Sequence, residues 1–357
     1  VSAVAADRPP EFATRLLAWF ELNGRHDLPW QHPREPYRVW LSEIMLQQTQ
    51  VATVIPYFRR FLERFPDVAT LAAAPVDDVL ALWSGLGYYA RARNLHRCAR
   101  QLVDEHGGQF PRSLDALAAL PGIGRSTAGA IAAQSWGARA AILDGNVRRV
   151  LARHRAIDGW PGAPAVQRRL WVVAEALLPD DRLADYTQAL MDLGATICTA
   201  RRPDCAACPV SAECIARITD TVARYPAARP RKPRARRRAR MLLAFNARGE
   251  LLLERRAPVG IWGGLWCPPM LDDDALSGDG GHALLDAADR IETLPQLHHA
   301  FTHFDLELQP LRFTLSRSGG VAESGRQRWV SLDELAALGL PAPVRKLLAS
   351  LDLTVST

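Results

Sequence analysis

Leu120-Pro121-Gly122-Ile123-Gly124-Arg125-Ser126-Thr127 is the stretch on which the reading of this chain turns. Ser113–Leu120 before it and Thr127–Trp136 after it carry apolar residues at helical spacing, so the segment joins two helices. Gly122 and Gly124 permit a tight turn whose backbone can approach a ligand closely, and the N–H groups that open the second helix suit a phosphate. Such a contact uses no side chain that reads bases, so it holds DNA without choosing its sequence. Read alone, the segment fits an ordinary glycine-rich helix–helix turn equally well.

Outward from this turn the same rhythm continues. From Glu11 to about Ile218, amphipathic segments such as Pro36–Gln50, Pro56–Phe65, Arg91–His106, Val147–His154 and Asp185–Cys198 alternate with short Gly/Pro breaks, and β-signals are nearly missing. This predicts an all-α domain over residues 1–225. Residues 226–240 read as a Pro/Arg linker that buries nothing. After Met241 the pattern changes: Met241–Asn246 and Glu250–Arg255 predict a β-hairpin, and Phe304–Leu308, Leu311–Leu315 and Trp329-Val330 further strands. Leu332–Leu338 and Ala342–Leu351 read as two closing helices of an α+β domain over residues 241–357.

The 357 residues are 48% hydrophobic and 23% charged, which excludes a mainly disordered or collagen-like chain. No apolar run approaches the roughly 18 to 20 residues that span a bilayer. Val1–Pro10 has too short an apolar run for a secretory signal, so the expected location is the cytoplasm, in association with the nucleoid. Charge is unevenly placed: residues 1–228 carry a net +3, residues 229–240 a net +8, and residues 241–357 a net −5. The first two suit a polyanion, of which nucleic acid is the commonest. Only Lys232 and Lys346 are lysines, so residues 1–228 contain none.

Cys198, Cys205, Cys208 and Cys214 crowd into 17 residues, which in a cytosolic chain reads as a metal or cluster site rather than disulfides. Spacing alone leaves zinc and iron–sulfur both open. Cys98 and Cys267 stand alone and read as core residues.

Two carboxylates stand out. Glu43 has Val39, Trp40 and Leu46 as helical neighbours, and an apolar surround raises a carboxyl pKa toward what a general acid needs. Asp144, in Ile142-Leu143-Asp144-Gly145-Asn146, lies at a helix N-terminus whose dipole keeps it ionised, so it could stabilise a developing cation. The plainer readings are an exposed helix-edge glutamate and an N-cap. Gln47-Gln48-Thr49-Gln50 supplies uncharged groups that probe base edges or cap the helix. Gly85-Leu86-Gly87-Tyr88-Tyr89 sets two aromatics beside Arg91 and Arg93, suited to wedging into a base stack or to a buried pair.

Together Leu41–Gln50, Gly85–Asn94, Leu120–Thr127, Leu143–Val147, Gln188–Gly194 and the four-cysteine spacing resemble the MutY family of adenine DNA glycosylases, a branch of the helix–hairpin–helix DNA-repair superfamily. The resemblance implies a [4Fe–4S] cluster on Cys198, Cys205, Cys208 and Cys214. It also implies a monomer acting on double-stranded DNA in which adenine is mispaired with 8-oxoguanine or with guanine. By the same resemblance Glu43 protonates adenine N7, Asp144 stabilises the oxocarbenium ion, and Glu43 then helps water attack C1′, the two-carboxylate logic of glycosidases. Asn146 is implied as an orienter, and Trp30, Leu46 and Gln188 as the adenine pocket. Gln48 and Tyr88 match positions that probe or wedge beside the lesion, with Gly122, Gly124 and Ser126 near DNA. Repair or replication partners would use the linker.

Two positions depart from relatives: Ser126, where some carry Tyr, and Arg148, where others carry Lys. The endonuclease III branch has a lysine at the position of Ser126, which forms a Schiff base and cleaves the strand. Without any lysine in residues 1–228 that step has no internal side chain, so a monofunctional glycosylase is expected.

Gly260–Pro269 and the strands around it resemble a Nudix domain. The segment Met270–Asp279 lacks the clustered glutamates that hold Mg²⁺ in a Nudix hydrolase, so nucleotide hydrolysis is not expected. The resemblance makes this domain the reader of oxidised guanine through Phe301, Thr302 and His303, where the family commonly has Phe-Ser-His.

Overall fold

A computed structural model of the chain describes residues 9–230, 234–257, 260–272, 279–301, 304–315 and 326–351. The chain divides into two compact units, Val1–Ala73 with Arg97–Arg231, and Ala74–His96 with Lys232–Thr357. The helices in chain order are α1 (Pro9–Asn23), α2 (Pro36–Leu46), α3 (Val51–Arg64), α4 (Val68–Ala73), α5 (Val76–Leu82), α6 (Ala90–His106) and α7 (Leu114–Ala119). After these come α8 (Arg125–Trp136), α9 (Gly145–His154), α10 (Pro164–Ala176), α11 (Leu183–Asp192) and α12 (Ile215–Ile218).

The first unit is helical, as its apolar periodicity predicts. α1 sends Phe12, Leu16 and Phe20 into a core shared with Leu151, Leu170 and Leu190. The central helix is α8, whose run Ala128–Ala133 is buried throughout. Small residues let neighbours come close: a Cβ on Gly129 would meet the Ala141 carbonyl at 2.3 Å. α2, α7 and α11 all pack on α8.

Three helix ends differ from the sequence expectation. α2 stops at Leu46 rather than Gln50, because Gln48 takes a left-handed conformation with φ of 60°. α3 begins at Val51 and runs through Pro56 instead of starting there, since proline costs one ladder bond while Val54, Phe58 and Phe61 keep the inner face buried. The helix expected to reach Cys198 is α11 followed by a π-helical turn, Leu193–Ile197.

In the second unit the elements are β1 (Ala235–Phe245), β2 (Leu251–Arg255), β3 (Trp266–Cys267), β4 (Met270–Asp272), α13 (Asp279–Asp286), β5 (Ala288–Thr293) and β6 (Leu297–Ala300). They continue with β7 (Phe304–Leu315), β8 (Gln327–Val330) and α14 (Ala342–Ser350). One mixed sheet runs β3-β2-β1-β7-β5, with β1 and β7 parallel and the other pairings antiparallel. β7 is a single strand across Pro310, where two strands were expected, and the first closing helix is a 3₁₀ turn, Asp333–Ala337. Its core is Leu242, Ala244, Leu252, Phe313 and Leu315.

The linker expectation is corrected at its C-terminal end. Ala235–Arg240 is not loose chain but the first half of β1, paired with Phe304–Gln309. The arginines stand outward, Arg238 pairing with Glu307 at 3.0 Å, and the small Ala239 faces in at 2% exposure. A basic run can thus be strand when its partner strand is acidic.

Residues 74–96, read from sequence as part of the helical domain, group with the second unit. The Tyr89 hydroxyl donates to the Leu340 carbonyl at 3.1 Å, Arg255 pairs with Asp77 at 2.9 Å, and Arg93 donates to the Gly263 carbonyl. Among the described residues no helix is long and apolar enough to cross a membrane.

Candidate active site

Glu43 projects from α2 between buried Val39 and Trp40. Burial, and next the negative charge of Asp144, push its carboxyl up to about 8, against a weaker opposing effect from the Gln134 side chain. The Gln134 amide donates to Glu43 Oε1 at 3.4 Å from the buried face of α8. Asp144 is the N-cap of α9 and accepts the Val147 N–H at 2.7 Å. The sequence reading held Asp144 ionised through the helix dipole. In the structure, burial outweighs the Val147 N–H and the Arg149 and Arg148 charges, so its pKa is raised. The two half-buried acids are close enough for the charge of Asp144 to be felt at Glu43, so they titrate as a linked pair.

The segment around Asp144 is held from three sides. Ser126 Oγ accepts the Leu143 N–H at 2.9 Å, so Ser126 is tied to the backbone just before Asp144. Arg149 donates to Asn146 Oδ1 at 2.7 Å, to the Gly194 carbonyl at 2.6 Å and to the Cys198 carbonyl at 2.7 Å. A Cβ on Gly194 would lie 2.6 Å from Asn146 Cβ, so only glycine lets the π-helical turn approach α9. Arg148 donates to the Leu143 carbonyl at 3.0 Å.

Of the residues assigned to an adenine pocket, Trp30 is buried with its ring edge-on to Phe58 at 5.4 Å, and Leu46 is half-buried at the end of α2. Gln188, on α11, is 2% exposed and donates its amide to Asp192 Oδ1 at 2.7 Å. Asp192 is fully buried and bound by Arg25 through Nε at 2.9 Å, Nη2 at 2.6 Å and the backbone N–H at 2.8 Å. Gln31, beside Trp30, likewise spends its amide N–H, on the Arg25 carbonyl at 2.8 Å.

The hairpin is as its sequence predicts. Leu120 and Ile123 are buried anchors, Gly122 takes φ of 80°, and Gly124 is the N-cap of α8 with open space at its Cβ position. Gln48 and Tyr88, each in its own unit, are both exposed and left-handed, with φ of 60° and 50°. Tyr88 is 53% exposed with Arg91 5.7 Å from its ring centroid, while the Tyr89 hydroxyl is tied to the Leu340 carbonyl. Backbone strain at exposed polar and aromatic residues is the kind that function retains.

Cys198, Cys205, Cys208 and Cys214 all line one small pocket, with Val150, Leu193 and Ile197 on its apolar side. Among the described residues no three Cys, His, Asp or Glu side chains gather closely enough to hold a metal ion. The thiols therefore ring a space instead of meeting at a point. Arg153, 4% exposed, donates to Cys198 Sγ at 3.3 Å and to the Thr199, Ala200 and Tyr225 carbonyls at 2.7, 3.1 and 2.9 Å. Four sulfur donors around one apolar space, with an Arg153 N–H on Cys198 Sγ, make a donor set that fits an iron–sulfur cluster. Cys98 and Cys267 are buried core residues, as expected.

In the second unit Phe301 closes the β6–β7 turn, its N–H donating to the Phe304 carbonyl at 2.9 Å. Its ring stacks on Phe304 with centroids 4.6 Å apart, with His299 edge-on at 4.6 Å and Arg237 over Phe304 at 4.6 Å. Thr302 and His303 lie outside the described residues.

Sequence reasoning missed Gln134, Arg149, Arg153 and the Arg25–Asp192 pair. Only the Gln188…Asp192 spacing of four carried a local signal, since such pairs meet on a helix face.

Both acids and the hairpin lie inside a stretch that matches a base-excision repair family. Residues 41–176 match the HhH-GPD superfamily base excision DNA repair protein, and residues 240–350 match the NUDIX domain. A solved thermostable thymine-DNA glycosylase is 28% identical with a TM-score of 0.53, covering 59% of this chain and 97% of that one. Endonuclease III in a non-covalent DNA complex shares the fold at 22% identity, with a TM-score of 0.50 over 58% of this chain and 94% of that one. Adenine DNA glycosylase of Buchnera aphidicola subsp. Schizaphis graminum is 35% identical over 94% of this chain and 97% of its own length. That of Mus musculus is 33% identical over 94% of this chain and 76% of its own. The chain belongs to the adenine DNA glycosylase family.

Proposed function

We propose that this enzyme removes adenine mispaired with 8-oxoguanine, and adenine opposite guanine, from double-stranded DNA by hydrolysis with no strand-cleaving step. The observation that carries the reading is Glu43, kept protonated up to about pH 8 by burial and by Asp144.

The extruded adenine leaves the base stack to reach Glu43. Glu43 in its acid form donates its proton to N7, so the base departs without negative charge. Positive charge grows at C1′ and the ring oxygen, and Asp144, fixed by the Val147 N–H, stabilises it. Glu43, now a carboxylate, takes a proton from the water that attacks C1′. Arg149 and Ser126 keep the Asp144 segment in place, and Trp30, Leu46 and Gln188 receive the base. The Gly122–Gly124 turn and the N-terminus of α8 hold a phosphate, with Gln48 and Tyr88 probing and wedging beside the mispair. Phe301, with Thr302 and His303, reads the oxidised guanine.

Cys198, Cys205, Cys208 and Cys214 would hold a [4Fe–4S] cluster. When bound, it cross-links the chain after α11 to the loop before α12 and takes no part in the steps above.

A duplex with adenine opposite 8-oxoguanine tests the reading under single-turnover conditions. The expected product is an abasic site that breaks only after alkali, with no borohydride-trapped protein–DNA adduct. Strand cleavage without alkali, or efficient trapping, overturns the monofunctional mechanism. Equal rates opposite 8-oxoguanine and thymine overturn the mispair assignment.

A further inference from the structure

We infer that Arg237, laid over Phe304 beside the Phe301 turn, binds the phosphate backbone of the DNA strand that carries the oxidised guanine. The inference rests on the reading that Phe301 meets that base.

The Arg237 guanidinium lies 4.6 Å from the Phe304 ring centroid, and that ring stacks on Phe301 with centroids 4.6 Å apart. Stacking engages the face of a guanidinium and leaves the N–H groups on its edge to bind in plane. Arg237 is exposed, and among the described residues its guanidinium N–H groups meet no protein acceptor. Its strand neighbours differ: Arg238 is paired with Glu307 at 3.0 Å and Arg234 with Asp305 at 3.4 Å. Arg237 is thus held on a ring with its donors unspent, the form in which arginine takes a phosphate through two N–H groups.

Charge points to the same occupant. Residues 241–357 carry a net −5, so that part of the chain as a whole repels a polyanion. Arg236, Arg237 and Arg240 set the opposite sign on the half of β1 that pairs with Phe304–Gln309, the strand leaving the Phe301 turn. A duplex is therefore received at this end of the sheet. Two ring-sized steps separate the guanidinium from Phe301, so a base read at Phe301 brings its own backbone to Arg237. A phosphate contact there adds affinity and fixes register without reading sequence.

The test measures the affinity of the full-length cluster-containing protein for a duplex with adenine opposite 8-oxoguanine across a range of salt concentrations. Each phosphate contact contributes about 0.9 to the slope of log affinity against log salt. Arg237→Met keeps a stem over Phe304 and removes the charge, and is expected to make that slope shallower by about one. Arg238→Met removes the same charge from the opposite face of the strand, where Glu307 already offsets it, and is expected to leave the slope unmoved. A second arm replaces the phosphates flanking 8-oxoguanine with neutral methylphosphonates. The wild type is expected to lose about one unit more of slope than Arg237→Met does, while the same replacement flanking adenine costs both proteins equally. Arg237→Gln serves in both arms if Arg237→Met does not fold. An unchanged slope in the folded variant, an equal loss in Arg238→Met, or a methylphosphonate effect independent of Arg237 overturns the inference. Failure of the Phe301 reading shows elsewhere, as equal release of adenine opposite 8-oxoguanine and guanine, a ratio in which the salt slope plays no part.

Discussion

Gly194 lies against Asn146 with no room for a side chain between them. The position where a Gly194 Cβ would stand is 2.6 Å from Asn146 Cβ and 3.1 Å from its carbonyl carbon. The π-helical turn after α11 thereby clamps the first turn of α9, and Asn146 lies two residues past Asp144. The Arg149 guanidinium closes the same clamp by binding Asn146 Oδ1 and the Gly194 carbonyl together.

Gly194→Ala must push these two segments apart. The added methyl meets Asn146 Cβ and the backbone it is fixed to, which cannot swing away, so the expected cost is about 1–3 kcal/mol of stability. The shift of Asn146 and Asp144 should also slow base release by about 10²-fold. Denaturant midpoints and single-turnover rates on one preparation check both.

Ser126→Ala removes the acceptor for the Leu143 N–H. Leaving that donor unpaired costs about 1–3 kcal/mol, and the loosened segment carries Asp144. The expected outcome is a lower melting temperature with slower base release and little change in DNA affinity, read by calorimetry, single-turnover rate and fluorescence anisotropy.

The raised pKa of Glu43 links pH to both rate and stability. As the acid, Glu43 is competent while protonated, so the release rate should fall as pH rises through about 8. Its folded pKa lies above the ordinary 4.5, so the stability tied to it is full below that value and is lost as pH rises through about 8. Glu43→Gln, which does not titrate, should gain on the wild type in melting temperature between those limits. Thermal melts of both proteins across the interval decide this.

Arg153→Met keeps the volume of the side chain and removes the cation beside Cys198 Sγ. Its buried carbonyl partners Thr199, Ala200 and Tyr225 lose their donor at the same time. Iron and sulfide content of the purified protein should fall below the wild-type value, with bleaching of the brown colour on dilution.

Much of this was legible in the sequence, for identifiable reasons. The hairpin glycines, the Asp144 cap and the four cysteines act through local spacing, and local spacing is what a sequence displays. The burial of Glu43 could also be read, from Val39 and Trp40 one turn away. Long-range partners could not: Arg25 meets Asp192 across 167 positions, and Gln134 meets Glu43 across 91. The sign of the Asp144 shift depends on how much surrounding protein excludes water, which no local pattern records. In the second unit Arg236–Arg238 read as tether because their charge was visible and their acidic partner strand, about 70 residues onward, was not.

The most direct test of the paired-acid account measures adenine release from a duplex containing adenine opposite 8-oxoguanine by the wild type, Glu43→Gln and Asp144→Asn under single-turnover conditions, with DNA binding followed in parallel. Asparagine keeps the Val147 N–H cap, so Asp144→Asn should fold and bind DNA. Both variants are expected to bind the duplex and to lose about 10³-fold or more in release rate. Wild-type release from either folded variant would contradict the account.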